Sequence, residues 1–595
     1  MRALGLLLVF IAARVAVLIG REPSAWWSLV AFIGEDLVVA ALYAGIDATL
    51  VRRPSVGWTL YGLLAAYSAL NAAVARVLFA PLSLAMLRGA RSALADSITH
   101  HVTLETGAVF LTVAIVAFVG PLVARRTRIH WRGAIAFAIT GFALHAGARP
   151  LVLGQLGAAA ALHHPLVALS IGVVPRIGAR EEDADWRKSP FPSTAPVEAS
   201  LANLRGSLRG RNVLVMLLES TAAKHLALYG ADVDPMPTVS ELGRSGLLFE
   251  NAYAVYPESI KGLFATLHSR YPALDVAVEA HGKLRLPSIA SVLREAGYRT
   301  GLFHAGRFRY LGMDAIVRDR GFDALEDAGA IGGNHESSFG VEEPSCVRRI
   351  LAWIDGLGRS GPFFAMYLPV AGHHPYETPE RGPFSDAEEI GRYRNALHAA
   401  DRALAQLLDG LRSRGLLDQT LIVLAGDHGE AFLDHPGNYG HTFFLYEENV
   451  RVPLVIAAPG STMRARRIAE TASLIDLAPT ILDLLGNSPP AEFQGETLLT
   501  PRERMALFFT DYAQARLGLR DGPWKLLHEV ETGRVELFNI ADDPNERRDR
   551  SADDRARTQA YRELLERWAK AQRHRIEAEG ARRETQGEAL RQGRP

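Results

Sequence analysis

The chain has 595 residues, and 65 basic side chains balance 65 acidic ones for a net charge of +0. That length exceeds one ordinary domain and asks for two or more units. The even charge balance gives no case for nucleic-acid binding. One cysteine, Cys346, excludes a disulfide framework and a cysteine metal cluster.

The N-terminal part is strongly apolar. Segments near Leu4–Gly20, Ser28–Leu50, Gly57–Phe79, Gly107–Ala124 and Gly133–Leu153 are each long enough to cross a hydrocarbon core of about 30 Å. The first also has the shape of a signal peptide, but four more apolar segments follow and no small-residue cleavage site stands out. An uncleaved first span is expected, and residues 1–153 form a transmembrane domain of about five helices. Arg52 and Arg53 lie between the second and third spans. Arg125, Arg126, Arg128 and Arg132 lie between the fourth and fifth. Both clusters belong in the cytoplasm, which puts everything after the fifth span outside. Arg21, Arg88 and Arg91 fall on the other side and weaken the bias. Arg14, Glu35, Asp36 and Asp47 sit in or near spans, where charge is costly, so they are expected to face a bundle interior and pair.

Residues 154–210 read as an interfacial helix and a linker. Val152–Val174 is apolar but broken by Gly154, Gly157, His163, His164 and Pro165. An interfacial helix fits it better than a sixth span, which would invert the placement of the rest. Pro190, Pro192 and Pro196 mark the linker.

Residues 211–550 alternate strand-like and helix-like segments. Asn212–Leu218, Arg299–Phe303, Phe363–Leu368, Leu421–Ala425 and Pro453–Ala458 are short apolar runs of strand type, and Tyr393–Arg414 has helical apolar spacing. Such alternation predicts an α/β sheet covered on both faces. Ligands in such sheets collect at the carboxyl ends of strands. Those ends carry Glu219, His304, His373 and the Asp427-His428 pair. The tail 551–595, rich in Arg, Glu, Ala and Gln, reads as an exposed helix fading into disorder.

The stretch Leu424-Ala-Gly-Asp427-His428-Gly-Glu430 is the most informative. A carboxylate and an imidazole on a Gly-flanked turn can reach one divalent cation. Neighbours on a strand point to opposite faces, so both can face one ion only where the strand ends. An Asp at a helix N-cap would give the same local pattern.

Six stretches carry a family resemblance. They are Asn212–Ser220; Pro369–Pro379 with His373, His374, Pro375 and Tyr376; Thr420–Glu430; Tyr446–Leu454; Asp476–Asp483; and Leu519–Glu546. In this order the chain from about Arg211 to Arg550 resembles the sulfatase-type branch of the alkaline phosphatase superfamily. With the N-terminal spans it looks most like lipoteichoic-acid-synthase-type and phosphoethanolamine-transferase-type membrane enzymes.

The resemblance implies one divalent metal ion held by Glu219, Ser259, Asp427 and His428. The donor set suits Mn2+, Mg2+ or Zn2+, and Ca2+ is also allowed. It implies Ser259 as nucleophile, in Tyr256-Pro-Glu-Ser259-Ile-Lys261-Gly-Leu-Phe264, where the transferases carry Thr. His373 and His441 match family histidines on the substrate side. His304, Lys261 and Arg307 are the candidate substrate contacts. Formylglycine sulfatases need Pro two residues after the modified position and Arg four after it. Lys261 and Leu263 stand there, which favours unmodified serine and a covalent phospho-enzyme. The Trp-Asn-Arg of the glycerol-phosphate synthases is replaced by Leu311, Gly312 and Met313, so that pocket is not reproduced.

The implied activity is transfer of a phospho-substituent from a phospholipid donor to an envelope glycan or lipid, at a bacterial inner membrane with the catalytic domain outside. Two alternatives stand beside it: a membrane-bound sulfatase or phosphatase, and a catalytically silent sensor or scaffold. The intact Glu219, Ser259, Asp427 and His428 speak against the last.

Overall fold

The structure is a computed structural model. It describes residues 1–19, 28–78, 81–82, 102–126, 131–152, 164–171, 175–181, 185–191, 201–334, 339–358 and 361–591. Arg21, Arg88, Arg91, Arg128, Pro192, Pro196 and most of the expected interfacial helix over Val152–Val174 lie outside the described residues. The chain divides into two compact units. One comprises Met1–Arg91, Ser97–Arg176 and Leu433–Tyr439; the other comprises Ser92–Asp96, Ile177–Phe432 and Gly440–Pro595.

The first unit contains helices Arg2–Leu18, Ser28–Thr49, Pro54–Leu78, Leu104–Val123 and Trp131–Val152. Each falls on one of the five apolar segments. Among the described residues, two stretches are long and apolar enough to cross a membrane, Pro54–Val77 and Leu104–Arg126. The expected pairing of charges is present. Arg14 donates twice to Asp36, at 2.7 and 2.6 Å. Arg2 meets Asp47 at 2.7 Å, and His145 approaches Glu35 at 3.6 Å. A charge held this way avoids the cost of facing an apolar medium alone.

The second unit is built on an eight-stranded sheet. Its strands are β1 (Asn212–Leu218), β2 (Leu247–Tyr253), β3 (Arg299–His304), β4 (Ala324–Glu326), β5 (Phe363–Leu368), β6 (Thr420–Gly426), β9 (Arg451–Ala457) and β10 (Arg466–Ser473). Two-residue strands β7 (Ala431–Phe432) and β8 (Tyr439–Gly440) lie between β6 and β9. The spatial order is β10-β2-β9-β6-β1-β5-β3-β4. All neighbours are parallel except β9, which runs against both β2 and β6.

Every residue of β1, β5 and β6 is buried. That is the pattern of central strands covered on both faces. One apolar cluster holds Val213, Val215, Val423 and Leu263, and another on the opposite face holds Leu214, Met216, Ile422 and Leu404. Full burial of each such side chain contributes about 1.5–3 kcal/mol. The expected strands and the long helix, observed as Glu389–Ser413, are all present. Strand β2 and edge strand β10 were not legible as strands, because Glu250, Asn251, Arg466 and Arg467 interrupt their apolar pattern.

A second sheet, antiparallel, follows: β11 (Met505–Thr510), β12 (Arg516–Asp521), β13 (Trp524–Glu529) and β14 (Val535–Asn539), in that order. The charged tail differs from the exposed helix expected of it. Helix Arg555–Arg591 buries Tyr561, Leu564, Leu565 and Trp568 in a cluster with Leu517, Leu519 and Leu526 of the second sheet. These four residues form a helical apolar stripe that the surrounding arginines and glutamates obscure in the sequence.

Candidate active site

The carboxyl ends of β1, β5, β6 and β3 lie at one edge of the sheet, because these strands are parallel neighbours. Leu218 of β1 pairs in register with Gly426 of β6. The next residues, Glu219 and Asp427, are therefore side by side, and the Asp427 N–H donates to the Leu218 carbonyl at 3.1 Å. Ser220 has φ 52°, a left-handed conformation that costs a non-glycine residue about 1–3 kcal/mol. It is held there by its N–H, which donates to Asp427 Oδ1 at 3.0 Å, and by its hydroxyl, which donates to Glu219 Oε1 at 2.9 Å. Gly372, after β5, passes so close that a Cβ there would lie 2.0 Å from the Glu219 carbonyl oxygen.

Ser259 enters from a different element. It opens helix Ser259–His268, and Glu258 caps that helix by accepting from the N–H groups of Ile260 and Lys261. Its Oγ lies 2.8 Å from Asp427 Oδ2, 3.0 Å from Glu219 Oε2 and 3.3 Å from His428 Nε2. One hydroxyl proton can serve only one of those carboxylates. His428 Nδ1 faces the Gly429 carbonyl at 3.0 Å. A carbonyl only accepts, so Nδ1 carries the proton and Nε2 turns its lone pair to the cluster. Nε2 is 3.5 Å from Glu219 Oε1 and 3.6 Å from Asp427 Oδ2. Two buried carboxylates, a hydroxyl and an imidazole lone pair converge on one point. Like charges so placed are unfavourable unless a cation or protons join them. Burial, and then the Asp427 charge, push the Glu219 carboxyl well above its ordinary range. Glu219, Asp427 and His428 offer ligand atoms within 4.8 Å of one another, and an oxygen-rich set with one imidazole fits a divalent metal ion.

The remaining histidines form a row. The His441 ring lies 4.1 Å from that of His428, and the His373 ring 6.2 Å from that of His441. His373 Nδ1 donates to the His374 carbonyl at 2.7 Å, which leaves the Nε2 lone pair available. His441 Nδ1 pairs with Glu430 Oε2 at 2.5 Å, and the Tyr376 hydroxyl donates to Glu430 Oε1 at 2.5 Å. Burial lowers His373 and His441 to about 4 each and raises Glu430 to about 7. Glu430 was part of the Asp-His stretch but had no role in the sequence reading. Its position two residues past His428 was visible; its pairing with a histidine eleven residues on was not.

The three candidate substrate contacts have partners of their own. His304 ends β3, where its Nδ1 donates to the Leu368 carbonyl at 3.1 Å and its ring stacks on Phe308. Arg307 is half-buried three residues later. Lys261 is committed to an ion pair. Its ammonium donates to both oxygens of Asp511, at 2.8 and 2.7 Å, and Asp511 also accepts from the Tyr256 hydroxyl at 2.7 Å.

Residues 211–487 match the family model for Sulfatase, and residues 437–574 match that for the C-terminal region of N-sulphoglucosamine sulphohydrolase. A lipoteichoic acid synthase-like protein of Bacillus subtilis is 24% identical over 316 residues, 50% of this chain and 51% of that protein. Arylsulfatase K of Xenopus laevis is 27% identical over 239 residues, 36% and 44% of the two chains. The chain thus spans about half the length of the curated relatives it matches. Among solved structures, a protein in the alkaline phosphatase superfamily from Vibrio parahaemolyticus superposes with a TM-score of 0.52 at 20% identity, over 62% of this chain and 90% of that one. The lipoteichoic acid synthase from Listeria monocytogenes gives 0.50 at 18% identity, over 63% and 95%. The second unit therefore has the α/β fold of the alkaline phosphatase superfamily and carries a sulfatase-type domain. Over these stretches the chain resembles the sulfatases and the lipoteichoic acid synthase-like enzymes.

Proposed function

We propose that this protein is a membrane-anchored, metal-dependent phosphotransferase that moves a phospho-substituent from a lipid donor to an envelope glycan or lipid through a covalent intermediate on Ser259. The observation that carries this reading is the placement of the Ser259 hydroxyl. It sits at a helix N-terminus, within 3.3 Å of Glu219, Asp427 and His428. Those four residues would hold one divalent ion, which supplies positive charge that lowers the hydroxyl pKa. Asp427 or Glu219, both within hydrogen-bonding distance, takes the Ser259 proton. The Oγ attacks phosphorus, an Oγ–P bond forms, and the bond from phosphorus to the donor alcohol breaks. The helix N-terminus favours the anionic group there. His441, whose Nδ1 meets the Glu430 carboxyl, relays the proton of that carboxyl through Nε2 to the departing alcohol oxygen, and the Nε2 lone pair of His373 takes the proton of the acceptor hydroxyl in the second step. Attack by the acceptor hydroxyl then releases Ser259.

The five N-terminal helices would be spans, with the arginine clusters inside and the second unit on the outer side of a bacterial inner membrane. A reporter active only in the cytoplasm, fused after Pro595, should be silent.

A second reading is hydrolysis of a sulfate or phosphate ester. The match of residues 437–574 to a sulphohydrolase C-terminal region and the arylsulfatase relatives favour it. Intact mass of the full chain after incubation with candidate phospholipids separates the two. A phospho-substituent adduct on Ser259 is expected, and an aldehyde at position 259 would replace this reading with formylglycine sulfatase chemistry.

A further inference from the structure

A cavity of about 320 Å3 opens beside His373, and the chemistry above leaves it unassigned. Its volume is in the range of small-molecule sites, about 300–1,000 Å3. Three elements wall it: the start of helix Glu343–Leu357, the segment from Val370 to Glu380, and the face of helix Glu389–Ser413 that carries Ala399 and Ala403.

The lining is specific in charge. Four acidic residues line it, Glu342, Glu343, Glu377 and Glu380, against one arginine, Arg402, and burial holds the Glu343 carboxyl toward its neutral form. Arg402 is already paired with Glu380 at 2.6 Å. Among the described residues no lysine and no second arginine lines it. An ester with several sulfates or phosphates on its alcohol part would bring like charge into this site. An uncharged alcohol meets no such opposition. Its hydroxyls would find the Thr378 hydroxyl and the Glu377 carboxylate, and its apolar part would find Phe339, Val341 and Val370.

His373 ties the cavity to the reaction. Its Nδ1–H is committed to the His374 carbonyl, so the Nε2 lone pair is the group that can take a proton from an attacking alcohol. Whatever oxygen it serves must carry its substituent into the space beside the ring.

We propose that this cavity is the subsite for the alcohol part of the ester, and that it selects an uncharged, partly apolar alcohol over a polyanionic sugar. The inference rests on the reading of Ser259 and His373 given above. The probes are hexyl glucoside, an uncharged amphiphilic alcohol, and sucrose octasulfate, a polyanion. Each is titrated by calorimetry into the full chain held in lipid nanodiscs. The wild type should bind hexyl glucoside, and Ala399→Phe, which fills the cavity, should weaken that binding at least tenfold. Ala399→Leu fills less, serves where Phe prevents folding, and should weaken binding by a smaller factor. Sucrose octasulfate should bind the wild type at least tenfold more weakly than the glucoside, and Glu377→Lys should narrow that gap. Three results would overturn the assignment: no hexyl glucoside binding to the wild type, equal affinity in the wild type and both filled variants, or octasulfate binding that is as tight and is lost in Ala399→Phe. Failure of the cavity and failure of the phosphotransfer reading remain distinguishable. Cavity-dependent glucoside binding without any adduct on Ser259 refutes phosphotransfer alone. An adduct with glucoside affinity unmoved by filling refutes the cavity alone.

Discussion

Replacing Asp427 with Asn should have opposite effects on stability with and without metal. Asp427 uses its two oxygens differently. Oδ1 accepts from the N–H groups of Ser220 and His428, at 3.0 and 2.7 Å, while Oδ2 faces the Ser259 hydroxyl at 2.8 Å. Asparagine keeps an oxygen for the two backbone donors and puts an amide nitrogen where the anionic oxygen was. The local fold should survive. In the metal-free protein, two carboxylates with atoms no more than 4.8 Å apart repel by at least about 3.5 kcal/mol when both are charged, in an effective dielectric of about 20. Protonation of Glu219, whose pKa is raised, already relieves part of that. The metal-free variant should therefore be as stable as wild type, or more stable by about 1–3 kcal/mol. With metal the sign reverses. A ligand at 100 times its Kd stabilises the wild type by about 2.7 kcal/mol, and a hundredfold loss of affinity removes nearly all of that. Thermal unfolding with chelator and with added Mn2+, alongside measurement of bound metal, reads both effects. A variant that keeps the metal-induced rise in midpoint, or that loses more than about 2 kcal/mol in chelator, would refute the assignment of Asp427 as a ligand.

Ser259→Ala should abolish turnover while the protein still folds, and Ser259→Thr should keep measurable activity; full activity in the alanine variant would remove Ser259 from the mechanism. Lys525 is fully buried between Glu447 at 3.0 Å and Glu546 at 2.9 Å. Lys525→Met should cost about 3–5 kcal/mol in denaturant unfolding, because two buried carboxylates lose their cation. Adding Glu447→Gln and Glu546→Gln should restore much of that loss. Burial raises Glu343 from 4.5 to about 7. Its contribution to stability is complete below pH 4.5, where folded and unfolded chains are both protonated, and is lost as pH rises to about 7. At 1.36 kcal/mol per unit the decline reaches about 3 kcal/mol. Glu343→Gln should flatten the stability–pH curve across that window, and an unchanged slope would assign the decline to other groups.

The carboxylate end of this site was readable because it obeys short-range rules. Continuous apolar runs mark β1 and β6 as central strands, and residues just past such strands share one edge of the sheet. Glu219 and Asp427 could be placed together without coordinates. Ser259 needed the resemblance, since one serine at a helix start has many innocent explanations. Lys261 shows where local reading ends. Two residues from the proposed nucleophile, it invites a substrate-binding role. Its partner Asp511 is 250 positions away, and only tertiary packing brings them together. The second sheet was hidden for a related reason. Arg520 and Lys525 are buried, so residues that signal solvent exposure in a strand pattern here lie in the interior, Lys525 in ion pairs with Glu447 and Glu546 and Arg520 on the Pro523 carbonyl.

The salt link from Lys261 to Asp511 bears on how the protein can be dissected. Asp511 directly follows β11, well beyond the end of the sulfatase match at residue 487. It binds the first turn of the helix that begins with Ser259, and it fixes Tyr256 and the backbone N–H of Asp275 as well. A fragment trimmed at residue 487 would retain Glu219, Ser259, Asp427 and His428 yet leave the buried Lys261 ammonium without its Asp511 partner. A fragment that keeps this anchor must therefore extend past Asp511. Expression boundaries drawn at residue 487 would keep Glu219, Ser259, Asp427 and His428 but remove the partner that anchors the helix carrying Ser259.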